Sequence, residues 1–213
     1  IFTNYVSPQG NVNYSSLKNS RLKLIKLLNK FEHLDTGEYK SWSKEDKIAF
    51  WINAYNIKLL KNIVDNYPIE PSIAGKIIWG PSSIRNIPPT DKIGIAKWEN
   101  YKFLVMNEEF TLPLIERKLF SKEFGDPRIN FALSSAAVGG PPLRNEPYCG
   151  NKLDRQLEEQ TRKFFNSKYG LMINKENQKV SLYAPLQWLG ADFVPKFGTD
   201  KKFKDKEPGI RAV

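Results

Sequence analysis

Ser43-Lys44-Glu45-Asp46-Lys47-Ile48-Ala49-Phe50-Trp51-Ile52-Asn53-Ala54-Tyr55-Asn56 opens the most apolar helical stretch in the chain. Ser43 reads as a hydroxyl N-cap. Glu45 and Asp46 fall in the first turn, where the helix dipole favours acids. The spacing predicts a helix over about 44–66, ending before Pro68. Ile48, Trp51, Ile52, Tyr55, Leu59, Ile63 and Val64, joined by Ala49, Phe50 and Leu60, cover a wide arc of it. A helix apolar over so much of its circumference is buried against several neighbours, so this is the expected central helix. Asn53 and Asn56 interrupt the pattern. Both are weak helix formers, they share a face, and a buried amide must find partners. Two readings stand: they bond the backbone of a loop lying over the helix, or they line a pocket.

Towards the N-terminus, residues 1–14 read as an irregular arm with a short extended piece at 11–14, after the Pro8-Gln9-Gly10 turn. Leu17, Leu24, Leu28 and Phe31 predict an amphipathic helix over 16–31, followed by a polar break at Asp35-Thr36-Gly37. Towards the C-terminus, residues 68–100 are rich in Pro and Gly and read as loop, with 76–79 the best short strand. A hairpin is expected with arms 101–105 and 110–112 around 107–109, then a helix over 113–122 opened by Pro113. Residues 129–139 are small and apolar, and period does not separate strand from helix there. A helix over 151–166, a hairpin with arms 171–173 and 179–183, a last helix over 185–193 and a basic tail complete the pass. Helices separated by hairpins, without βαβ alternation, give a single α+β domain over 1–195 with a loosely held tail at 196–213.

Composition narrows the chemistry. The 213 residues include 40% hydrophobic and 13% aromatic side chains, enough for a packed core and too many aromatics for wholesale disorder. Cys149 is the only cysteine and His33 the only histidine. That excludes an internal disulfide and the usual Cys/His zinc sets, so no metal and no cofactor are expected. No Walker-type loop or GxGxxG occurs. No apolar run approaches a membrane span. Lys and Arg number 33 against 23 acids, a net charge of +10. Lys23, Lys26 and Lys30 share a helix face, and Lys201, Lys202, Lys204 and Lys206 cluster in the tail. Both read as solvated charge, because no RNP-type, zinc-finger or KH-type motif supports specific nucleic-acid recognition. Anionic glycans or membrane surfaces would feel the same field. His33 reads as a cation at a helix end and Cys149 as an incidental loop thiol. Glu108-Glu109 and Glu158-Glu159 read as surface acids.

Three further strings stand out: Gly125-Asp126-Pro127-Arg128-Ile129-Asn130-Phe131-Ala132-Leu133, Gly140-Pro141-Pro142-Leu143-Arg144-Asn145-Glu146-Pro147-Tyr148, and Leu153-Asp154-Arg155-Gln156-Leu157. With residues 49–56, the Tyr67-Pro68…Ser72-Ile73 spacing and the Asn11-Val12-Asn13-Tyr14 opening, the chain resembles the uncharacterised domain-of-unknown-function family 547 over about residues 5–195. The resemblance carries no established reaction. It implies His at the position of Asn130, Cys at that of Ser135, and often a second Cys at that of Gly140. This chain has none of the three, and Asn cannot exchange protons near neutral pH. With the start at Ile1, the resemblance implies a secreted, periplasmic or envelope-facing protein of bacterial type.

The expected function is therefore a binding or scaffold module for a small polar or anionic ligand. Its pocket is expected where Asn53, Asn56, Asn130, Ser135 and Arg144 converge, with a degenerate His/Cys site at Asn130 and Ser135. Arg144 would offer a fork to a carboxylate or phosphate, or else pair with Glu146. One alternative is a hydrolase or acyl-transfer enzyme using Ser135 in place of Cys, which needs a base such as His33 within reach. Another is a binder of anionic polymers through the basic surface.

Overall fold

The computed structural model describes residues 1–71, 73–79, 83–87, 101–137 and 139–197. The basic tail from 198 onward and its four lysines lie outside the described residues, as does much of the Pro-rich stretch. The helices are α1 (Phe2–Tyr5), α2 (Tyr14–Asn19), α3 (Arg21–Glu32), α4 (Thr36–Ser41), α5 (Lys44–Asp65), α6 (Ile73–Trp79), α7 (Leu112–Ile115), α8 (Ile129–Ala132), α9 (Leu153–Phe165) and α10 (Leu186–Phe197). Two antiparallel hairpins accompany them: β1 (Phe103–Val105) with β2 (Glu108–Phe110), and β3 (Leu171–Asn174) with β4 (Lys179–Leu182). The fold is α+β.

α5 is the central helix that its sequence predicts. Ser43 Oγ accepts the Asp46 N–H at 3.0 Å and donates to Asp46 Oδ2 at 2.6 Å, closing the first turn. One side of α5 buries Ile48, Trp51, Ile52, Tyr55, Leu59 and Ile63 with Phe103, Val105 and Phe110, with Leu112 and Ile115, and with Leu153 and Leu157. The other side buries Ile57, Leu60 and Val64 with Phe2, Val6, Leu17, Leu24 and Leu143. Each of these side chains contributes roughly 1.5–3 kcal/mol on burial. The Trp51 indole N–H is satisfied inside the core by Tyr39 Oη at 2.8 Å. A third cluster joins α9, α10 and α8 through Phe131, Phe164, Leu186 and Phe193.

Several local expectations are corrected. The helix expected over 16–31 is two, α2 and α3, broken at Ser20. The Ser20 N–H turns back to the Leu17 carbonyl, and its hydroxyl accepts the Tyr5 Oη–H at 2.6 Å. The polar break at 35–37 starts α4, because Asp35 Oδ1 accepts the Glu38 N–H at 2.8 Å. The strand expected at 76–79 is part of α6; so short an apolar run fits either period. The first hairpin turns at Met106-Asn107, with φ of 53° and 60°, and residues 108–110 are strand. Tertiary bonds fix that turn: the N–H groups of Met106 and Asn107 donate to the carbonyls of Phe31 and Glu32 at the end of α3. α7 runs into a π-helical segment, Glu116–Phe124, ended by left-handed Gly125. Of the stretch 129–139, residues 129–132 form α8 and 133–137 are irregular. α10 extends beyond the expected 193. Among the described residues, no helix is long and apolar enough to cross a membrane.

Candidate functional site

The two helix amides act on the loops laid over α5. Asn53 Nδ2 donates to the Tyr148 carbonyl at 2.8 Å, and its Oδ1 accepts the Tyr148 N–H at 3.0 Å. Asn56, 1% exposed, donates to the Ala132 carbonyl at 2.9 Å and accepts the Ser134 N–H at 3.0 Å. Each amide pairs with main chain as a neighbouring strand would, so the loop-holding reading accounts for both. A third amide does the same from the opposite helix. Gln156 Oε1 accepts the Cys149 N–H at 2.9 Å, and Nε2 donates to the Pro147 carbonyl at 3.0 Å. Gln160, one turn on, donates to the Pro142 carbonyl. Sequence reading missed Gln156 and Gln160. The available signal was that they fall on the Leu153, Leu157, Phe164 stripe, where a polar residue is buried.

Two arginines complete the frame. Arg128 is buried and forks onto Asp126, with Nη2 reaching Asp126 Oδ2 and Asp154 Oδ1, each at 2.8 Å. This ties the 126–128 turn to the start of α9, and the carboxylates hold the guanidinium pKa above its ordinary value. Arg144 pairs with Glu146 Oε1 at 2.5 Å and Glu159 Oε2 at 2.7 Å. Its charge is engaged within the fold, the alternative weighed against ligand binding. Arg144 in turn holds the Glu146 carboxyl below the usual range.

Of the five candidate residues, Asn53 and Asn130 line different clefts. Asn53 lines an open cleft of about 860 Å³ between the N-terminal half of α5 and the loop 148–151. Trp42 and Phe50 give it aromatic walls, Glu45 and Asp46 carboxylates, and Ser43 and Asn151 neutral polar groups. Half-buried Cys149 lines it too. Asn130 lines a separate cleft of about 220 Å³ with Asp126 and Asp192, and its Nδ2 donates to the Pro127 carbonyl at 3.0 Å. A third, of about 270 Å³, is lined by Tyr14, Ile63, Tyr67, Pro68, Ile69, Ile84 and Ala136. Burial pushes the Tyr14 hydroxyl up to about 12. Asn56 lies beneath, with both amide atoms engaged.

Ser135 is exposed and lines none of these three clefts. It stands between Ser134, held by Asn56, and Ala136, whose φ of 50° is strained for a residue with a side chain. A Cβ placed on Gly140 would lie 1.9 Å from Ser135 Oγ, so the two positions are immediate neighbours. His33 is exposed, and its Nδ1 lies 2.8 Å from the Asn29 carbonyl at the end of α3. That geometry fits the helix-end role. Among the described residues, no three His, Cys, Asp or Glu side chains group as a metal site requires.

The family model described as protein of unknown function, DUF547, matches residues 39–165. No curated protein and no solved structure matches the chain.

Proposed function

This chain belongs to the DUF547 family of proteins of unknown function, and from that premise we propose that it is a non-catalytic binding module whose ligand lodges in the cleft between α5 and the loop 148–151. The observation that carries this reading is the construction of the cleft. One wall is the rigid central helix; the other is a loop pinned on two sides, by Asn53 and by Gln156. Preorganised walls lower the cost of binding. A volume of about 860 Å³ suits a small molecule.

The lining selects the ligand's chemistry. Among the described residues, Glu45 and Asp46 are the charged groups of the lining, with no Lys, Arg or His beside them. A neutral polar or cationic ligand with a flat apolar face fits better than an anion, because Trp42 and Phe50 offer ring surface and attract cations. Asn130 and Ser135 support the non-catalytic half of the reading. An amide donated to its own turn shuttles no proton, and among the described residues no base hydrogen-bonds Ser135.

Cys149 serves as the reporter, being the only thiol and lying in the cleft. Alkylation by iodoacetamide is followed in the presence of millimolar choline, free amino acids, monosaccharides or disaccharides. At least one class should slow the rate more than about threefold, and Trp42→Ala should abolish that protection. Absence of protection across the panel, together with fluorophosphonate labelling that disappears in Ser135→Ala, would reverse the reading in favour of a serine hydrolase.

A further inference from the structure

The β3–β4 hairpin carries an apolar face that the fold leaves uncovered. Its register sets Leu171 opposite Leu182 and Ile173 opposite Val180. Side chains alternate along a strand, so these four share one face. The inner pair is half-buried, with Leu182 against the third core cluster. The outer pair is free: Ile173 is 60% and Val180 61% exposed. Met172 on the other face and Tyr169 just before the strand are exposed as well.

Lysines frame this apolar tip. Lys175 and Lys179 are exposed at the turn, and Lys168 holds its Nζ 5.0 Å from the Tyr169 ring centroid. Glu176 is the one acid between residues 168 and 182. We propose that this hairpin docks the protein on an anionic lipid surface, with Ile173 and Val180 entering the headgroup–acyl boundary and the lysines meeting lipid phosphates.

Charge chooses the occupant. A second copy would bring two lysine-framed tips together on chains of net charge +10, which repel. An anionic bilayer satisfies both halves of the surface. Apolar side chains gain by insertion, Tyr suits the interface, and lysines extend their stems towards the headgroups. This surface is separate from the cleft, and the inference does not depend on what the cleft binds.

The test is co-sedimentation of the whole chain at low salt with phosphatidylcholine vesicles, pure or carrying about 30% phosphatidylglycerol. Binding is expected to the anionic vesicles and to fall steeply with added salt. Each lysine contributes about fivefold, so Lys175→Glu with Lys179→Glu should weaken binding about 25-fold or more. Ile173→Ser with Val180→Ser should weaken it comparably while leaving the circular dichroism spectrum unchanged. If the serine pair disturbs the hairpin, the lysine pair alone decides. No sedimentation with anionic vesicles, or equal binding by wild type and the lysine pair, overturns the proposal. So does a dimer in light scattering that the serine pair dissolves while lipid binding is absent.

Discussion

At Asn56 a single amide closes two main-chain groups, the Ala132 carbonyl and the Ser134 N–H. Removing it takes the amide partner from the buried Ala132 carbonyl and from the half-buried Ser134 N–H. An orphaned buried polar group costs about 1–3 kcal/mol. Asn56→Ala should therefore lower the unfolding free energy by about 2–4 kcal/mol, read from the midpoint of urea denaturation at constant m-value. Asn53 makes the same pair of bonds with Tyr148, but it borders an open cleft that water can enter. Asn53→Ala should cost less, about 1–2 kcal/mol. Equal losses at the two sites would show that the depth of Asn56 confers nothing. The sequence signals both residues by placing weak helix formers in the apolar helix. It leaves their role open, because an amide that lines a pocket and one that holds a loop look alike until the loop is located. Arg144 shows the same limit: its carboxylate partners lie 2 and 15 residues away, and only the nearer was visible as a candidate.

At the scale of elements, two left-handed glycines separate backbone strain from steric clash. Gly125 ends the π-helical segment at φ +66°, and a Cβ there would meet nothing within 4 Å. Gly125→Ala should cost about 1–2 kcal/mol from the backbone alone, and Gly125→Asn less. Gly10 has φ +93°, and its Cβ would come within 2.5 Å of Pro142 Cβ and 2.9 Å of the Leu143 carbonyl. Gly10→Ala adds that clash to the strain and should cost about 3 kcal/mol or more, since overpacking contributes 1–3. Thermal melts of the pair decide it; a smaller loss at Gly10 would mean that the N-terminal arm lifts away freely. α5 was legible because its cap, its period and the following Pro agree. α9 was legible from its period alone, its Leu and Phe stripe being strong. The Met106-Asn107 turn was not, because carbonyls of α3, distant in sequence, hold it. α6 was misread because Ile77-Ile78 favours strand locally, and a strand also needs a partner, which four residues cannot reveal.

Across the whole molecule, burial of a lysine and of several tyrosines sets an alkaline stability profile of definite shape. Lys58 lies between α5 and β1, bonded to the Lys102 carbonyl at 3.2 Å and 5.6 Å from the centroid of the Phe103 ring. Desolvation first, then the charge of Lys61, lowers it from 10.5 to about 8. Between about 8 and 10.5 the unfolded chain holds a proton there that the folded chain has released. Stability therefore rises with pH across that window. Tyr14 acts in the opposite sense. Burial raises it from 10 to about 12, so above 10 the unfolded chain loses a proton that the folded chain keeps, and stability falls. Tyr148, also buried, is raised further and steepens the fall. Each group contributes on the order of 2 kcal/mol. Urea midpoints should thus climb above pH 8, peak near pH 10 and drop towards pH 12. Lys58→Met should raise the midpoint at pH 7 and remove the climb, while Tyr14→Phe should soften the fall. A profile that is flat from 8 to 10, or a wild type that Lys58→Met does not stabilise at pH 7, would mean that water reaches the ammonium and that α5 and β1 close less tightly than the buried Phe103 and Val105 indicate.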